Sequence, residues 1–178
     1  MSVVRLFTVL SFVTAVGCAS APAHGDLTSV TESAEAPRPA VADYNLQNDL
    51  ALGGYDPVSY FEGKAPLMGE RKHAARVRGV VYFFADDDNR DAFLADPRKY
   101  EPAYGGWCAW AMAKGGKTVD ADPTNFTIEN GVLRVFYRNA LVDTRSKWQA
   151  GDVPALQAEA ARQWTDRSGE PLEHLALR

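Results

Sequence analysis

A small α+β domain of two β-hairpins with short helices is the fold class this sequence predicts, and three observations carry the prediction. β-branched and aromatic runs flank two tight-turn dipeptides, Arg78-Gly79 in "ARVRGVVYFFA" and Asn130-Gly131 between "FTI" and "VLRVFY". A two-residue primed turn needs positive φ at both central positions, which makes Asn-Gly a strong hairpin signal. Short helical stretches with their own start and stop signals interleave with these hairpins. The chain has 178 residues, 46% hydrophobic and 24% charged, enough for the core of one domain once flexible ends are set aside.

The first element is a leader. "MSVVRLFTVLSFVTAVGC" places one cation, Arg5, before an apolar run from Leu6 to Val16. That run is too short to span a bilayer but suits a secretory signal. It ends in "AVGC", which resembles the bacterial lipoprotein cleavage box; residues 1–17 are then a signal peptide and Cys18 is the lipidated first residue of the mature chain. A rival cut follows "APA" at Ala23 and would release a soluble periplasmic protein beginning at His24. Both cuts place the mature protein outside the cytoplasm, where Cys108 is the one remaining protein thiol and no intramolecular disulfide can form.

Residues 18–43 are rich in Ala, Ser, Thr and Pro and read as a flexible tether. The folded domain is expected over 44–166, followed by a frayed tail at 167–178. Gly53-Gly54 and Asp56-Pro57 are turn signals, with "VSYF" behind them as a short helical turn or strand. The acidic run Asp86–Asp88 caps a helix that Asp96-Pro97 should stop. After the second hairpin, helices are expected from about Ala140 to Gln149 and, behind Asp152 with Pro154 in the first turn, from about Val153 to Thr165. A net charge of -4 with scattered Lys and Arg gives no field for nucleic acid.

Three blocks together resemble the YHS domain of the secreted bacterial type: "GGYDPVSYF" at 53–61, "KHAARVRGVVYFFADDDNRDAFLADPRKYEPAYGGWCAWA" at 72–111, and "DADPTNFTIENGVLRVFY" at 120–137. The resemblance runs from about Leu50 to Trp164 and implies a YHS-like fold. YHS domains are similar to cysteine-rich modules found near copper-transporting ATPases, which implies soft-metal binding. This chain departs from the pattern with the full cysteine set. Where those cysteines stand, after the Asp-Pro-Val and after the aromatic strand, it carries Ser59, Ala85 and Asn89, and Ala74 replaces the serine of the naming triplet.

The remaining chemistry centres on "YGGWCAWAMAKGG". Gly105-Gly106 turn the backbone so that Cys108 falls in the first turn of a helix, where N–H groups favour a thiolate. Met112, four residues on, shares its face, and thiolate with thioether suits copper(I). His73 can add an imidazole, so Cys108, His73 and Met112 form the candidate metal site, with copper as the expected cofactor. Tyr55, Tyr60, Tyr104, Trp107 and Trp110 are candidate pocket-lining aromatics, or the core of a small domain. No acid–base pair, phosphate loop or dinucleotide fingerprint is present, so no catalytic residues are assigned. The expected function is a periplasmic, membrane-tethered soft-metal module with a metal ion or a periplasmic protein as partner. A thiol redox role for Cys108 and a non-metal interaction module are the alternatives.

Overall fold

The computed structural model describes residues 31–33 and 41–170. The signal segment, Cys18, most of the expected tether and the end of the tail lie outside the described residues.

Val80, Tyr82 and Phe84 alternate along one strand, and their side chains all find apolar partners on one side. That strand, β5 (Val80–Phe84), therefore becomes the centre of a mixed sheet, paired antiparallel with β4 (Glu70–Val77) through the predicted hairpin. Its turn has the expected geometry, with φ of 51° at Arg78 and 82° at Gly79. On the other side β5 meets β3 (Leu50–Ala51) in parallel, and β3 pairs antiparallel with β2 (Leu46–Gln47). A three-residue strand, β1 (Thr31–Ser33), runs parallel to β4 at the far edge. Ala75, Val77, Val80, Tyr82 and Phe84 pack against Phe93 of α1 (Asp87–Ala95) to form one core cluster.

The second predicted hairpin forms its own sheet, β6 (Asp122–Glu129) with β7 (Val132–Phe136), closed by Asn130 and Gly131 at φ 52° and 71°. A bulge lies between Asp122 and Phe126. The chain is thus mixed α+β: one mixed sheet, one two-stranded sheet, and helices packed around both.

Four of the five α-helices among the described residues are placed by aspartate caps. Asp86 accepts from Asn89 N (2.8 Å) to start α1. Asp96-Pro97 ends that helix, as expected, and Asp96 then caps the short α2 (Pro97–Tyr100). A third short helix, α3 (Ala109–Ala113), follows the glycine turn. The helix expected from Ala140 starts later, as α4 (Thr144–Gln149). Asn139 Oδ1 accepts from Leu141 N and Val142 N (2.9 and 2.8 Å), holding those residues in a side-chain-closed turn, and Asp143 is the residue that caps. The long α5 (Val153–Ser168) is capped by Asp152 and runs past Thr165 to Gly169, at φ 74°. Glu170 beyond it is buried and accepts from Trp164 Nε1, so packing continues into the expected tail.

Two features join the layers. Arg78 at the hairpin turn and Glu101 after α2 form an ion pair, both side chains nearly buried, and Glu101 also accepts from Tyr82 Oη (3.1 Å). Burial first, then the charge of Glu101, holds the Tyr82 hydroxyl well above its ordinary range. The arm at 43–47 crosses from the first sheet to the second half. Asn45 N donates to Gly105 O (2.9 Å), Asn45 Nδ2 to Gly106 O (3.1 Å) and Gln47 Nε2 to Ala121 O (3.0 Å).

Candidate functional site

Three consecutive residues with positive φ, Tyr104 (57°), Gly105 (60°) and Gly106 (83°), swing the chain into α3. Gly105 is required by space as well as by φ: a Cβ there would meet Trp164 Cη2 at 2.8 Å and Asp43 O at 3.2 Å. The turn delivers Cys108 as the N-cap residue of a five-residue helix, one place before the expected first turn, and its sulfur makes no capping hydrogen bond. Its N–H is spent on Val119 O (3.0 Å).

The sulfur is fully buried and lies 3.3 Å from Thr144 Oγ1, at the start of α4. Thr144 Oγ1 also lies 2.8 Å from Tyr137 O. A carbonyl only accepts, and a hydroxyl has one proton, so that proton goes to Tyr137. Cys108 is then the donor in its contact with Thr144.

Met112 N donates to Cys108 O (3.0 Å), which puts the thiol and thioether residues one helical turn apart, as expected. Met112 is fully buried among Tyr104, Phe136, Trp148 and Trp164. His73 is engaged elsewhere. It sits on β4, where its Nδ1 is 2.7 Å from Asp87 Oδ1 on α1. That hydrogen bond is the main reason the Asp87 carboxyl lies below its usual range. Among the described residues, no three His, Cys, Asp or Glu side chains group so as to hold a metal ion.

Of the five aromatics, Trp110 lines a cleft of about 270 Å³ with Lys114, Asp152 and Leu156, and the Lys114 ammonium lies 4.8 Å from its ring centroid. Tyr60 Oη donates to Pro123 O (3.0 Å), Trp107 Nε1 to Asp43 O (2.7 Å), and Tyr104 is buried beside Arg134. Tyr55 bridges to Met68. These four serve the packing of the fold.

The sequence reading missed a second centre. Asp56 is fully buried and its carboxylate gathers four donors. Oδ1 takes Val58 N (2.8 Å) and Ser59 N (3.4 Å); Oδ2 takes Ala85 N (2.9 Å) and Asn89 Nδ2 (2.6 Å). Ser59, Ala85 and Asn89 are the three positions at which the YHS resemblance leads us to expect cysteines in the full-cysteine pattern. In this chain they converge on one carboxylate. The only hint in the sequence was their shared departure from that pattern.

No family model matches the chain, and comparisons with curated proteins and with solved structures found no match either.

Proposed function

We propose that this chain is a YHS-like domain acting as a non-enzymatic binding module outside the cytoplasm, in which a hydrogen-bonded carboxylate stands where relatives with the full cysteine set hold a metal. The observation that carries this reading is the convergence of Ser59, Ala85 and Asn89 on Asp56. Three positions scattered along the chain have little reason to meet unless the fold keeps a centre there. An amide, a backbone N–H and a carboxylate satisfy one another and need no soft metal. The buried, donating thiol of Cys108 supports a packing role over a redox one, because reactive cysteines are exposed thiolates. The apolar run Leu6–Val16 and Cys18 support export and membrane attachment through lipid, with a protein or small ligand of that compartment as partner.

Exhaustive chelation is expected to leave the melting temperature unchanged, and Cys108 is expected to react with a thiol reagent only as fast as the domain unfolds. A melting temperature that falls on chelation and returns with zinc or copper would overturn the reading.

The one-turn spacing of Cys108 and Met112 favours a second reading, copper(I) binding at the two sulfurs. The leading reading expects wild type and Cys108→Ser to compete equally poorly with a copper(I) chelator under anaerobic titration. A loss of affinity in Cys108→Ser would transfer the function to the second reading.

A further inference from the structure

Alternate residues of β6 face two different partners. Phe126 packs edge-on against Tyr60, with ring centroids 4.9 Å apart. Asn125 and Glu129 bond toward α4 and α5, with Thr127 between them along the strand. At one end of this row Asn125 Nδ2 donates to Asp143 Oδ1 (2.9 Å); at the other, Glu129 accepts from Trp148 Nε1 and Gln157 Nε2. Between these satisfied ends, Asn125 Oδ1 and Thr127 Oγ1 are both buried and have no hydrogen-bond partner among the described residues. Asn125 is fully buried.

The amide orientation is fixed by its neighbour. Turning the Asn125 side chain over would set Oδ1 against the Asp143 carboxylate, whose pKa is held below the ordinary range chiefly by the Asn125 N–H. Oδ1 therefore points away from Asp143. A buried amide oxygen left unpaired is destabilising by about 1–3 kcal/mol, and a buried hydroxyl two residues along the chain adds to that. One ligand that can both donate and accept would satisfy both atoms. A metal cation is disfavoured, because Arg145 Nη1 lies 3.4 Å from Phe126 O, the carbonyl of the residue between them.

We infer that Asn125 and Thr127 bind one internal water molecule between β6 and α4. The water donates to Asn125 Oδ1 and bonds Thr127 Oγ1, completing the polar seam that ends at the Asp143 cap. This seam abuts the candidate thiol site, since the next residue, Thr144, is hydrogen-bonded to Cys108 Sγ. The inference is independent of the proposed function.

Thr127→Val gives the test, because it removes the hydroxyl and keeps the shape. If the hydroxyl holds a water, the variant melts at a lower temperature than wild type. If the hydroxyl is an orphan, removing it raises the melting temperature, which would overturn the inference. The wild type supplies a second measurement. An atomic-resolution crystal structure is expected to show an ordered water about 2.6–3.2 Å from both oxygens. Density without a water at Asn125 Oδ1 would overturn the inference as well.

Discussion

Asp56→Ala is expected to lower the unfolding free energy by at least about 4 kcal/mol, since four donors lose their acceptor and each unpaired buried donor costs about 1–3 kcal/mol. Folded domains have only about 5–15 kcal/mol in total, so the variant should be largely unfolded or close to it. The loss is large because the carboxylate joins three segments: the Val58–Ser59 turn, the end of β5 and the first turns of α1. Asn89→Ala removes one of those donors together with its bond, so it should cost much less. Urea denaturation of both variants checks the ranking. A loss below about 1 kcal/mol for Asp56→Ala would show that the centre is not structural.

Glu101→Ala is the second large effect, expected to cost about 3–5 kcal/mol, because it deprives a nearly buried Arg78 guanidinium of its carboxylate and Tyr82 Oη of an acceptor. Replacing both partners with apolar residues, Arg78→Met with Glu101→Leu, should recover most of that loss, since a buried ion pair is often no better than well-packed apolar groups. The recovery distinguishes a stranded charge from a simple packing defect. A double variant no more stable than Glu101→Ala would reject the argument.

Both hairpins were legible in the sequence because their turns are local. Asn130-Gly131 and Arg78-Gly79 solve a backbone problem within two residues, and the observed positive φ values are that solution. The caps at Asp86 and Asp152 were legible for the same reason. The start of α4 was misplaced because Asn139 competes for the N–H groups of Leu141 and Val142, a choice that helix periodicity does not reveal. Of the site, the glycine turn and the Cys108–Met112 spacing could be read directly. Thr144 lies 36 residues from Cys108, and Asn89 lies 33 residues from Asp56, so neither partnership is visible before the chain folds. No local pattern marks Glu101 and Arg134 as buried charges; the packing of the layers buries them.

The arm at 43–47 has a mechanical consequence. Asn45 and Gln47 are hydrogen-bonded to Gly105, Gly106 and Ala121, so a pull on the chain from its N-terminal side, once it has freed β1 from β4, loads the seam between the two sheets. Tension there would shear those bonds before it reached the β4–β5 hairpin. The loop carrying Gly105, and the cysteine three residues beyond it, would feel the force next.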